Sequence, residues 1–163
     1  MSAVIVSDTT SLIVLEKLGE LNLLCRLFER VLIPEVVLSE MAAGSPDIAK
    51  RLEGSTCFDV EVVNDSSRLD TLSLLLDAGE AHAIELAVSQ QLPLIIDERK
   101  GRQIAQQMGV KVTGFAGLLI LAVRRQVVNH QEALDLLEQA VAGEMRLSNA
   151  LLKQVKEQLN AGR

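Results

Sequence analysis

A chain of 163 residues with formal net charge −6, 48% hydrophobic and 23% charged residues, is long enough for one ordinary folded domain and too apolar for a disordered or low-complexity segment. Three Phe with no Trp or Tyr, against 28 Leu, give an aliphatic core and nearly exclude aromatic stacking on nucleic-acid bases, while the acidic balance argues at first sight against a polyanionic partner. In chain order, Ala3–Ser7 reads as a buried strand stopping at Asp8, and Thr9, Thr10 and Ser11 offer hydroxyl caps for a helix from about Leu12 to Gly19. A helix over Leu21–Phe28 and a brief strand at Val31–Ile33 follow; Pro34 then opens a helix that Gly44-Ser45-Pro46 closes, and a short helix runs to about Glu53. Phe58–Val63 alternates apolar and acidic residues, as an edge strand does, before helices at Leu69–Leu76 and Glu80–Gln90. Leu92–Ile96 is a second apolar strand running into Asp97-Glu98. After it come a helix at Arg99–Met108, a strand at Val110–Thr113, and helices at Phe115–Arg125, Gln131–Val141 and Leu147–Leu159. Short buried strands alternating with amphipathic helices predict an α/β fold with a parallel sheet covered on both faces.

The longest uncharged run, Val112–Val123, is far short of the roughly 20 apolar residues that span a bilayer, so no membrane helix is expected. The opening Met-Ser-Ala-Val-Ile-Val-Ser-Asp has no basic residue before its apolar stretch and does not read as a secretory leader. Cys25 and Cys57 match no metal spacing and read as two reduced core thiols. These features together point to the cytoplasm. Charge is unevenly distributed: residues 1–97 carry a net −10 and residues 98–163 a net +4.

In an open parallel sheet the functional crevice lies at the carboxyl ends of the strands. Two strands end in an Asp, and if they are neighbours Asp8 and Asp97 meet; taken singly, each is as well explained as a helix cap. Glu40 lies near the buried face of its helix, and Glu80 stands in the first turn of its own, where the helix dipole alone would favour an acid. Converging carboxylates stay ionised near neutrality most readily around a divalent cation, and an all-oxygen set suits Mg²⁺ or Mn²⁺ rather than zinc.

Four segments then carry a resemblance: Ser7-Asp8-Thr9-Thr10-Ser11-Leu12; Pro34-Glu35-Val36-Val37-Leu38-Ser39-Glu40-Met41; Gly79-Glu80-Ala81-His82-Ala83-Ile84-Glu85; and Ile96-Asp97-Glu98-Arg99-Lys100-Gly101-Arg102. In this order and spacing they resemble the PIN domain family, most nearly an uncharacterised prokaryotic branch close to VapC-type toxin ribonucleases. The likeness runs over about residues 3–125, and the closing helices near 131–160, with Arg146-Leu147-Ser148, look like the same branch, which makes residues 1–163 a single PIN-like domain. The resemblance implies a three-layer α/β/α sandwich with a short parallel central sheet, and a metal-dependent endoribonuclease, the toxin of a type II toxin–antitoxin pair. It implies Asp8, Glu40, Glu80 and Asp97 as the acidic set holding Mg²⁺ or Mn²⁺, with Thr10 as the hydroxyl near the metal; the third acid is Asp in many relatives. Glu98 competes with Asp97 for the fourth place, and Asp97 is preferred because a strand end is better fixed. Arg99, Lys100 and Arg102 would hold substrate phosphates, or else form a solvated helix face.

Such a site needs neither His82, expected at the surface or rim, nor His130 as a base. The implied partners are an RNA substrate and a small DNA-binding antitoxin; a homodimer seam at Leu21–Phe28 competes with plain core for the same apolar stripe. The alternative is a PIN-like binding module with little or no catalysis, acting through a protein or nucleic-acid partner. Other enzyme classes fit poorly. There is no phosphate-binding Gly-rich loop, Thr10 stands where a phosphoaspartyl phosphatase needs its second Asp, and Thr113 where a receiver domain needs Lys.

Overall fold

The computed structural model describes residues 3–161 apart from 54, 56, 144 and 146, so Arg146 lies outside the described residues. Strands and helices alternate through most of the chain: β1 (Val4–Ser7), α1 (Thr9–Lys17), α2 (Asn22–Leu27), β2 (Arg30–Pro34), α3 (Glu35–Gly44), α4 (Ile48–Glu53), β3 (Phe58–Glu61) and α5 (Ser67–Leu75). There follow α6 (Ala78–Gln90), β4 (Leu94–Ile95), α7 (Arg99–Gln107), β5 (Val112–Thr113), α8 (Phe115–Arg124), α9 (His130–Ala142) and α10 (Asn149–Ala161).

The strands form one five-stranded, all-parallel sheet in the order β3-β2-β1-β4-β5, with β3 at an edge as its acidic alternation predicts. Side chains alternate across it, as the pleat requires. Ile5, Val31, Ile33 and Ile95 face a cluster built from Leu12, Leu15, Leu24, Ile48, Phe115, Leu119, Leu137 and Val155 of α1, α2, α4, α8, α9 and α10. Val6, Leu32, Leu94 and Ile96 face the opposite cluster, with Leu72, Ile84 and Ala105 of α5, α6 and α7. The result is a three-layer α/β/α sandwich with an aliphatic core, each fully buried Leu, Ile or Val contributing about 1.5–3 kcal/mol of transfer free energy.

The α2 stripe follows the plain-core reading: Leu23, Leu24, Leu27 and Phe28 are buried and Leu21 and Cys25 pack beside them. Two expectations change. Cys25 and Cys57 are not free thiols; they are joined as a disulfide that ties α2 to the start of β3, their Cα atoms 5.5 Å apart. A spacing of 32 residues gives no hint of a pairing that depends on two elements meeting in space. Finally, α1 begins at Thr9 instead of near Leu12, so Thr9, Thr10 and Ser11 fill its first turn and Asp8 takes the N-cap position in extended geometry.

The chain leaves β1 outward to β2 and β3, then returns to the other side of β1 to lay down β4 and β5. The direction of winding therefore reverses between β1 and β4, where the carboxyl ends of an open α/β sheet leave a crevice.

Candidate functional site

Both strand-terminal acids lie at this reversal. β1 and β4 pair through Val6–Leu94 and Ser7–Ile95, and the Asp8 N–H donates to the Ile95 carbonyl at 3.0 Å, which fixes Asp8 beside the end of β4. Asp8 is 1% exposed, and among the described residues no group makes a hydrogen bond of good geometry to either carboxylate oxygen, the Ser11 and Asp97 amides only lying near. Burial raises its pKa well above the ordinary carboxylate range; the negative charges of Asp97 and Asp77 push the same way, and the nearby amides of Ser11 and Asp97 offset this only in part.

Asp97 is half-buried and firmly held. Its Oδ2 accepts from the Ser11 hydroxyl at 2.5 Å, and its Oδ1 from the Phe115 N–H at 3.0 Å, at the amino end of α8 where the helix dipole favours an anion. Gly114 makes this approach possible, since a Cβ there would stand 2.4 Å from Asp97 Oδ1 and 3.0 Å from Arg102 Nη1.

Glu80 projects from the first turn of α6, where Asp77 caps the helix by accepting the Glu80 N–H at 2.8 Å. Its Oε2 is buried without a partner, and burial, then Asp77, then Glu98 push its carboxyl up to about 9. Glu80 presses close to α7: a Cβ on Gly101 would lie 3.0 Å from Glu80 Oε2.

Glu40 is exposed late in α3 and reaches across to α1 and α6. Its Oε2 accepts from the Thr9 hydroxyl at 2.7 Å, and a Cβ on Gly79 would meet those two atoms at 2.7 and 2.8 Å. Thr9 and Ser11 are therefore the hydroxyls of this run that reach an acid, Thr9 at Glu40 and Ser11 at Asp97. Thr10, expected in that role, is exposed, because starting the helix at Thr9 turns the next residue roughly a quarter of a turn away.

Glu98 accepts the N–H groups of Lys100 at 3.0 Å and Gly101 at 2.7 Å as the N-cap of α7; its pKa is lowered because these bonds outweigh a burial effect of opposite sign. Of the two candidates for the fourth acid, Asp97 is the one whose charge bears directly on Asp8, while Glu98 serves its own helix beside Glu80. Arg99 and Lys100 are exposed at the start of α7, and Arg102 folds inward to donate to the Ile96 carbonyl at 3.0 Å. His82 is half-buried on α6 with Nδ1 2.8 Å from the Ala78 carbonyl, one turn back on its own helix, and His130 pairs with Asn160 of α10.

The structure thus groups Asp8, Asp97 and Glu80 with Asp77 and Glu98, and sets Glu40 with Thr9 over the start of α6. Sequence reasoning missed Asp77, Ser11 and Thr9 in these positions. Asp77 was accessible from its place three residues before Glu80, a common N-cap spacing; which hydroxyl of the Thr-Thr-Ser run would reach an acid depends on a helix start that no residue there announces.

The family model for the PIN domain matches residues 4–161. The chain belongs to the PIN domain family. Among solved structures, this PIN domain is similar to a PilT N-terminus domain protein from the hyperthermophilic archaeon Sulfolobus solfataricus P2, at 15% identity over 89% of this chain and 99% of the other, with a TM-score of 0.43. No curated protein matches the sequence. PIN domains are generally nucleases and usually use divalent metals. Among the described residues, no three of His, Cys, Asp and Glu are grouped so as to hold a metal ion as they stand. The donor chemistry nonetheless fits a hard divalent cation: all-carboxylate, with three buried oxygens of Asp8 and Glu80 lacking any other partner. Among the described residues, no helix is long and apolar enough to cross a membrane.

Proposed function

We propose that this PIN domain is a divalent-metal-dependent endoribonuclease, and that it is the toxin of a type II toxin–antitoxin pair. The observation that carries the nuclease reading is Asp8, a carboxylate placed at the switch point, almost wholly buried, with both oxygens left without partners beside Asp97. Such an arrangement costs folding stability, and a cost kept at a crevice is what a ligand-binding site carries.

Asp8, Glu80, Asp97 and Glu40 would hold Mg²⁺ or Mn²⁺, with Glu98 behind Glu80. When bound, the cation supplies charge neutralisation at a phosphodiester and a more acidic water. The chain's own part is positioning. Ser11 and the Phe115 N–H fix Asp97, Thr9 fixes Glu40, and positive charge beside Asp8 and Glu80 would offset the burial and neighbouring negative charge that raise their pKa values. Arg99, Lys100 and the remaining donors of Arg102 line the exit from β4 and would take substrate phosphates. RNA as substrate, and a small DNA-binding antitoxin as partner, rest on the four segments that resemble VapC-type ribonucleases.

Asp8→Asn should abolish Mg²⁺- or Mn²⁺-dependent cleavage of a mixed-sequence RNA oligonucleotide, and relieve any growth arrest on expression. Full activity in that variant would refute the assignment. One observation favours the second reading, a PIN-like binding module: the acids do not close to ligating distance as they stand. That reading predicts no cation-dependent cleavage by the unaltered protein, with partner binding that survives Asp8→Asn.

A further inference from the structure

At the amino-terminal ends of β1, β4 and β5 the sheet stops while α6, α7 and α8 end around it, and a cavity of about 650 Å³ is left between them. Its wall draws on both cores: Ile5 and Phe28 belong to one cluster, Val88 and Leu92 to the other, and Ile120 and Leu121 of α8 close it. The cavity therefore opens into the seam between the two clusters, and its volume falls within the ~300–1,000 Å³ of small-ligand pockets. Among the described residues only two charged side chains line it, Lys111 just before β5 and Arg124 at the last residue of α8. They stand at the same end. β5 runs away from Lys111 and α8 returns, so that Arg125, next to Arg124, donates to the Leu27 carbonyl just ahead of β2. Both cations are exposed, and neither side chain is paired among the described residues. No carboxylate lines the cavity, although the chain carries 22 Asp and Glu against 16 Lys and Arg.

We propose that this cavity binds a small aliphatic carboxylate, its chain among the apolar residues and its head group at Lys111 and Arg124. Gly117 also lines the cavity, and from it to Arg124 is about 10 Å along the axis of α8, the span of an extended chain of about eight carbons. Chemistry separates this occupant from the others. A peptide would bury backbone N–H and C=O groups that an apolar lining leaves unpaired. A neutral chain would leave both cations unused, and a cationic amphiphile would meet them as like charges. The inference does not rest on the nuclease reading, because the cavity and the acids lie at opposite ends of the same strands.

The test titrates the full chain with decanoate below its micelle concentration, by isothermal calorimetry, beside decanol and decyltrimethylammonium. One decanoate should bind per chain, about tenfold more tightly than either homologue, the effect of one charge-assisted contact. Affinity should rise about fourfold for each CH₂ added from hexanoate to decanoate. Amide NMR signals of Gly109 and Gly117 in the cavity wall should shift on titration, and those of Asp8 and Asp97 should not. Lys111→Gln combined with Arg124→Gln should remove the preference for the carboxylate and leave decanol binding unchanged; both positions are exposed, and an unaltered melting temperature checks that the variant is folded. Asp8→Asn should bind decanoate as the unaltered chain does. Absence of saturable binding, equal affinity for the three head groups, a preference that survives the double substitution, or shifts confined to residues outside the cavity would overturn the proposal.

Discussion

Glu80→Gln should make the cation-free protein more stable at pH 8 and flatten its dependence on pH. The Glu80 carboxyl stands near 4.5 in the unfolded chain and about 9 in the folded one, so between those values the folded state binds more protons, and stability must fall as pH rises through that window. At full strength a displacement from 4.5 to about 9 corresponds to ~6 kcal/mol. Glu80 is only half-buried, however, and water at the rim together with small movements of Asp77 and Glu98 screens most of that, leaving about 1–2 kcal/mol between pH 5 and 9. Asp8, also raised, acts in the same direction. Glu98, lowered, contributes stability that is lost only as pH falls below the usual Glu value and so does not enter this window. The amide of the variant does not titrate and can donate to Asp77 or Glu98, so its melting temperature should exceed that of the unaltered protein by about 3–6 °C at pH 8 and match it near pH 5. Thermal melts followed by circular dichroism from pH 5 to 9, repeated with Mn²⁺, supply the measurement. Mn²⁺ at one hundred times its Kd at pH 7 should stabilise the unaltered protein by about 2.7 kcal/mol there, and the same concentration should stabilise it more at pH 8 than at pH 6 because the ligands must lose protons, and the variant much less. A melting temperature independent of pH in the unaltered chain, or a variant less stable at pH 8, would refute the reasoning.

Gly114→Ala should place a methyl group 2.4 Å from Asp97 Oδ1, costing about 1–3 kcal/mol and displacing Asp97, read as a lower melting temperature together with reduced cleavage. Arg68→Ala removes two of the donors to the buried Glu85, Nε at 2.6 Å and Nη2 at 3.0 Å, and keeps the Ser66 hydroxyl; α5 and α6 should loosen at a cost of about 1–3 kcal/mol in urea denaturation. Reducing the Cys25–Cys57 disulfide should lower stability by about 3.7 kcal/mol, the loop-entropy scale for a closed segment of 32 residues, seen by comparing melts with and without a thiol reductant.

The sheet was legible because its strands are β-branched runs that stop at charged or turn residues, and the reversal at β1 and β4 could be anticipated from two such runs ending in Asp8 and Asp97. Leu92–Ile96 is longer in sequence than the paired strand Leu94–Ile95, since apolar composition reports burial, whereas only Leu94 and Ile95 have strand partners on β1 and β5. The Cys25–Cys57 pair was illegible for the opposite reason: its partners are remote in the chain and adjacent only after folding. The total charge of −6 says little about either part, because it averages an acidic crevice with a basic segment that begins just after Asp97. The aromatic deficit keeps its meaning, and an RNA bound here would be held through phosphates with little base stacking.

The ladder between β1 and β4 has a kinetic side as well. β1 meets β2 across a short stretch of chain, whereas its contact with β4 joins residues nearly ninety positions apart, and that long-range step is the one that drives Asp8 and Asp97 together. The crevice is therefore a point of frustration in the folding landscape: the closure that completes the sheet is the closure that electrostatics opposes. Refolding should accelerate in mild acid, and it should accelerate again in Asp8→Asn. The acids at the reversal of the sheet would then set the pace at which the molecule assembles.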